Sequence, residues 1–126
     1  VDYKNKSTLL KDKKSSYYII NFWASWCAPC VKEMNSLNSL QKKAPYLRVI
    51  TISQDKTIQI SEDFFKKYNY DDLEKYFDKK KKILSKFKLR GLPTTFIANK
   101  NYKIFAKVEG IIEWDSPEFI KWLNNN

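Results

Sequence analysis

The sequence predicts an α/β fold, a central mixed and mainly parallel sheet flanked by helices, and three observations carry that prediction. Two runs, Tyr17–Trp23 and Leu47–Ser53, are rich in β-branched and aromatic residues and apolar on both faces, as in buried parallel strands. Each is followed by apolar residues at helical spacing. A hairpin pattern and a strongly capped last helix then close the chain. The resulting order, β-α-β-α-β-α-β-β-α, has no repeat, linker or composition break, so residues 1–126 read as one domain.

Taken in order, residues 1–16 are polar and lysine-rich and read as a lead-in with little core. After the first strand, Val31, Met34, Leu37 and Leu40 form a helical stripe over residues 29–43. Beyond the second strand, Ser61 is the expected N-cap of a helix over 62–69, with Phe64, Phe65 and Tyr68 on its apolar side. Residues 73–77 read as a short strand. Ile83, Leu84 and Phe87 read as a short helix ending near Lys88. Residues 94–98 and 103–108 form the antiparallel hairpin around a polar turn. Asp115-Ser116-Pro117-Glu118 starts the last helix with a cap, a first-turn proline and an acid at the positive end, and Phe119, Ile120 and Leu123 supply its buried side.

At 126 residues, 43% hydrophobic and 16% aromatic, the chain is long and apolar enough to bury a single core. No run is long enough to cross a bilayer as a helix. The chain begins at Val1 and its one methionine is Met34, so a signal or membrane anchor upstream of Val1 is an open expectation. The formal charge of +10 is almost all lysine, with Arg48 and Arg90 the two arginines. The lysines look scattered apart from the run at 79–82, and nucleic-acid readers place arginine and aromatics together, so no nucleic-acid partner is expected. Solvated, non-specific charge is one reading, and a basic surface for acidic partners or anionic lipid is the other.

Two cysteines and no histidine narrow the chemistry. One C-x-x-C cannot furnish a four-ligand zinc site, haem attachment fails at Val31, and a Cys–His hydrolase has no base. No metal or cofactor is called for. As a staple the pair is weak, since so short a loop stabilises by only about 2 kcal/mol. Redox chemistry remains. In Phe22-Trp23-Ala24-Ser25-Trp26-Cys27-Ala28-Pro29-Cys30 the pair lies between a strand and a helix start, where unpaired N–H groups and the helix dipole favour a thiolate. Cys27 is the expected nucleophile and Cys30 the resolving thiol, with Pro29 tolerated in the first turn. Trp26 abuts Cys27 and is expected to form an apolar rim; Trp23 reads as core and Trp114 as packing near the last helix cap.

The segments INFWASWCAPCVKEM (residues 20–34), RGLPTTFIA (90–98) and GIIEWDSPEFI (110–120) resemble the thioredoxin superfamily, and within it the TlpA/ResA-like membrane-tethered thiol–disulfide proteins, the last segment being most like alphaproteobacterial TlpA. The resemblance spans about residues 7–123. It implies a thioredoxin-like fold and a cis bond at Leu92–Pro93, with that loop lying against the C-x-x-C and pairing with an extended substrate. Trp26, Ala28, Pro29, Leu92 and Pro93 are thus the expected substrate contacts. Cytosolic thioredoxins carry a proton-relaying aspartate where this chain has Asn21, so that relay is absent. Glu33 matches the glutamate of a C-x-x-C-x-x-E pattern implied to handle the thiol proton; from spacing alone it could equally face solvent. Asn35 replaces the family's proline after Glu-Met, which removes a helix kink.

The function expected from this resemblance is reduction of specific protein disulfides on the periplasmic side of a bacterial inner membrane, by a monomer. Cytochrome maturation or oxidase copper-site assembly would supply the substrates, and a membrane donor of the DsbD/CcdA type the electrons. The alternatives are a general cytosolic thioredoxin, disfavoured by Asn21, and a DsbA-like oxidase, disfavoured by the absence of a histidine between the cysteines. Outside enzymes stand a Cu(I)-binding chaperone, for which the related wider C-x-x-x-C and distant histidine are missing, and a redox-dead binding module, which the intact cysteines argue against.

Overall fold

β1 (Tyr17–Trp23) lies at the centre of a five-stranded sheet in the computed structural model, which describes residues 15–126. The strand order is β3-β2-β1-β4-β5, with β2 (Leu47–Ser53) and β3 (Glu74–Phe77) on one side and β4 (Thr94–Asn99) and β5 (Ile104–Glu109) on the other. β1 pairs parallel with β2, and β2 parallel with β3. β4 runs antiparallel to both β1 and β5. The sheet is therefore evenly mixed rather than mainly parallel, because the hairpin docks directly on the central strand. Most of the expected lead-in, residues 1–14, lies outside the described residues.

β1 and β2 are buried along nearly their whole length, which their two-sided apolar sequences require. Alternate side chains enter two cores, one on each face. Ile19 and Trp23 join α1 (Ala28–Lys43), Trp114 and α3 (Pro117–Asn124) on the first face. Tyr18, Ile20 and Phe22 join Phe96, Phe87 and Leu89 on the second. α1 turns Met34, Leu37 and Leu40 inward, as its stripe predicted, while Cys30 rather than the half-buried Val31 is its first buried residue. α3 starts at Ser116, whose hydroxyl accepts the Phe119 N–H at 3.1 Å.

α2 (Ile58–Lys67) departs from expectation. It is capped by Thr57, and Ser61 lies inside it, buried, with its hydroxyl donating to Asp55 Oδ2 at 2.9 Å. The helix starts a turn earlier because Thr57 supplies an earlier cap, its hydroxyl accepting the Ile60 N–H at 3.4 Å, and it ends at Lys67 with Tyr68 as its C-cap. The short helix expected around residues 83–88 is two 3₁₀ turns, Lys79–Lys81 and Leu84–Lys86. Lys80 and Lys81 have left-handed backbone, φ +56° and +53°, which costs about 1–2 kcal/mol per non-glycine residue. Asp78 offsets that cost. Its buried carboxylate accepts the Ile83 and Leu84 N–H groups at 2.7 and 2.8 Å and Gln54 Nε2 at 2.9 Å. No helix of the described residues is long and apolar enough to cross a membrane.

Candidate active site

The parallel arrangement brings the carboxyl ends of β1, β2 and β3 to one end of the sheet, where open α/β sheets place their sites. The chain leaving β1 turns tightly, with Cys27 N–H donating to Ala24 O at 3.1 Å, and enters α1. Cys27 is the N-cap. Its sulfur accepts the Cys30 N–H at 3.3 Å, so it occupies the place where a helix start holds an anion. Cys27 and Cys30 are joined as a disulfide, with Cα atoms 5.2 Å apart. Cys27 retains 5% exposure and Cys30 none, which makes Cys27 the sulfur an incoming group can reach.

The turn before Cys27 is pinned by a residue that the sequence reading missed. Asp55, 3% exposed just past β2, accepts both the Ser25 N–H and the Ser25 hydroxyl on Oδ1 at 2.9 Å. Its other oxygen accepts the Ser53 and Ser61 hydroxyls at 3.0 and 2.9 Å. The available signal was positional, an acid directly beyond the end of a parallel strand. Gln54 N–H donates to Trp23 O at 2.7 Å and completes the link between the two strand exits.

The Leu92–Pro93 bond is cis, as the resemblance implied. Thr94 stands opposite Phe22 in the β1–β4 register, so Pro93 meets the sheet at the level of the β1 exit. Pro93 is buried and Leu92 half-buried. Trp26, at 71% exposure, and the exposed Ala28 and Pro29 surround Cys27 with apolar surface. The rim, the loop and the dithiol therefore share one end of the molecule.

Glu33 does not face solvent. It is 2% exposed, one turn along α1 from Cys30 on the same side. Asn21 Nδ2 donates to Oε1 and the Trp114 indole N–H to Oε2, each at 3.0 Å. Asn21 is held in turn by donating to Thr95 Oγ1 at 2.9 Å. Burial raises the Glu33 pKa to about 7, although the hydrogen bonds from Trp114, Asn21 and the Ile112 backbone pull it the other way. Trp114, expected only as packing, thus has a polar contact as well: it is fully buried, and its backbone N–H reaches Ser36 Oγ at 3.3 Å. Trp23 is core, wedged against Phe64 and Phe65.

Comparison with known proteins agrees with this geometry. The Thioredoxin-like family matches residues 15–104. The thiol-disulfide oxidoreductase ResA of Bacillus cereus is 33% identical over 111 residues, 86% of this chain and 64% of that protein. The chain thus spans somewhat less than two thirds of that relative. In fold it is similar to StoA from Bacillus subtilis, with TM-score 0.75, 24% identity and coverage of 88% and 84% of the two chains. It is also similar to the exposed lipoprotein thioredoxin Etrx1 from Streptococcus pneumoniae, with TM-score 0.78, 24% identity and coverage of 99% and 96%. With its capped dithiol, cis-proline loop and sheet order, the chain belongs to the thioredoxin-like family.

Proposed function

We propose that this chain is a thiol–disulfide oxidoreductase domain that reduces specific protein disulfides outside the cytoplasm. The observation that carries the reading is the Cys27–Cys30 pair at the start of α1, with Cys27 slightly exposed and Cys30 fully buried. In the reduced protein the Cys27 thiolate attacks one sulfur of a substrate disulfide, and the other leaves as a thiolate. Cys30 then loses its proton and attacks Cys27 Sγ, releasing the second substrate thiolate and forming the bond seen in the structure. Two electrons pass to the substrate, and two protons complete its thiols. Glu33 is the group we assign to take the Cys30 proton, because a buried carboxylate with a pKa of about 7 is poised for transfer near neutrality. Trp26, Ala28, Pro29, Leu92 and Pro93 form the contact surface for an extended substrate segment.

Kinship supports this location. The pneumococcal neighbour is named as an exposed lipoprotein, and the curated relative as ResA. Within this reading the chain is a periplasmic, membrane-anchored reductant fed by a donor of the DsbD/CcdA type, with cytochrome maturation or oxidase copper-site assembly as the destination. The direction is tested by equilibrating the Cys27–Cys30 couple against glutathione or dithiothreitol. A potential near the roughly −270 mV of thioredoxin supports a reductant, and one near the roughly −120 mV of DsbA overturns it. Cys30→Ala is expected to accumulate mixed disulfides with substrate proteins through Cys27, and Cys27→Ala to accumulate none.

A further inference from the structure

The charge of this chain is not evenly spread. Residues 79–108 hold ten lysines or arginines and no acid, so this stretch carries the whole formal charge of +10 and the rest of the chain balances. Seven of the ten fall within residues 79–90, the crossover from β3 to the cis-proline loop, and all seven are exposed. Among the described residues none of the seven is in an ion pair.

The crossover is held in place. Its apolar residues Ile83, Leu84, Phe87 and Leu89 pack on the second core, with the Phe87 ring 5.3 Å from that of Phe22 and 4.8 Å from that of Phe96. Its start is tied to the dithiol end of the sheet through Asp78, Gln54 and Trp23 O. The carboxylates Asp55, Asp78 and Glu33 are turned inward there, none more than 3% exposed, and their oxygens accept hydrogen bonds from the protein. They put little negative charge on the surface. Exposed acids return beyond the loop at Glu109 and Glu113. Charge is thus polarised across the cis-proline loop.

We propose that the crossover, Lys79 to Lys82 with Lys86, Lys88 and Arg90, is a docking rail for an acidic segment of the protein whose disulfide Cys27 attacks. The inference rests on the exchange reading and specifies its substrate class. A protein segment is favoured over an anionic membrane because the rail runs directly into Leu92–Pro93, so a partner lying along it delivers its disulfide to Cys27. A bilayer seated on the same residues would cover the dithiol. Charge complementarity at this position raises the encounter rate with acidic partners.

The test uses fluorescein-labelled peptides without cysteine, in Asp/Glu-rich, Asn/Gln-rich and Lys-rich versions, with binding read by anisotropy. Matching disulfide-containing peptides and the small neutral hydroxyethyl disulfide read exchange. The variant changes Lys79, Lys80, Lys81 and Lys82 to Gln, none of which belongs to the dithiol machinery. At low salt the acidic peptides should bind and react about tenfold better than the neutral ones, an advantage that salt removes. The variant should lose most of that advantage and keep its rate on hydroxyethyl disulfide. Equal treatment of the three peptide classes, or an acidic preference unchanged in the variant, overturns the proposal. So does binding to phosphatidylglycerol vesicles that depends on these lysines while the peptide preference does not. Failure to exchange even hydroxyethyl disulfide sinks the oxidoreductase reading instead, and the docking rail is then judged by anisotropy alone.

Discussion

Replacing Trp114 by Phe isolates one of the forces that set the proton affinity of Glu33. The indole N–H donates to Oε2 at 3.0 Å, and the ring packs edge-on against Phe119 with centroids 5.0 Å apart. Phenylalanine keeps much of that packing and lacks the donor. A hydrogen bond to a charged group contributes about 1.5–3 kcal/mol, and 1.36 kcal/mol corresponds to one pKa unit, so the Glu33 midpoint should rise from about 7 by roughly 1–2 units. Stability follows with a definite sign. The ordinary value is 4.5, so between 4.5 and about 7 the folded protein keeps a proton that the unfolded chain has released. The stability linked to protonated Glu33 is therefore complete below pH 4.5 and is lost as the pH rises to about 7, on the order of 3 kcal/mol in all. In Trp114→Phe that loss should continue 1–2 units higher. The assay is a carbon-13 NMR titration of the glutamate carboxyls, with Glu33→Gln identifying the resonance, alongside urea unfolding across the same range. A midpoint that stays near 7 in Trp114→Phe, or moves down, refutes the reasoning.

Asn21→Asp replaces a donor 3.0 Å from Glu33 with a second carboxyl. Two such groups do not both ionise readily, so the titration should split into two apparent steps, one above the original midpoint and one below, visible in the same NMR experiment. Asp55→Asn removes charge from a carboxylate that receives bonds from Ser25, Ser53 and Ser61. It should cost about 2–3 kcal/mol in urea unfolding and slow exchange while leaving the Glu33 midpoint in place. Thr57→Ala should cost about 0.5–1 kcal/mol as an exposed cap, and Ser61→Ala more, about 1–3 kcal/mol, because its hydroxyl is buried; equal losses would contradict the assignment of the α2 start.

The parts of this molecule legible in the sequence are those written in short-range pattern. β1, β2 and α1 declare themselves through contiguous apolar runs and a helical stripe, and the dithiol through its place between them. α2 was misjudged because a polar residue can serve either as a cap or as a buried hydrogen-bond donor. Ser61 does the second, and only Asp55, supplied by the chain six residues earlier, distinguishes the cases. Asp55 has only a positional signature, its place just past a strand end; besides Ser53, its partners lie 30 and 6 residues away. The same holds for Glu33. Spacing left it either functional or solvent-facing, and its burial depends on Trp114, 81 positions further along. The Leu92–Pro93 geometry was likewise visible through resemblance, since nothing in Gly-Leu-Pro-Thr specifies a cis bond.

The position of the titratable group carries a mechanistic consequence. Asn21 does not ionise, so the strand beneath the dithiol offers a fixed donor and the ionisable acid sits on α1 itself. Glu33 and Cys30 therefore move with one helix, while the donors that hold down the Glu33 pKa come from β1 and from the segment before α3. Trp114 grips α1 twice, through its indole at Glu33 and through its backbone at Ser36, and Ser36 in turn donates to Glu33 O at 3.0 Å. Drawing Trp114 away by the length of one hydrogen bond removes a donor from the carboxylate and strengthens its hold on a proton. The proton affinity of Glu33 thus depends on how the segment before α3 is seated, and that segment begins at Gly110, whose N–H donates to Pro93 O at 3.0 Å. In the exchange we propose, substrate contact at the cis-proline loop and proton uptake at the buried acid are joined through one short, continuous run of chain.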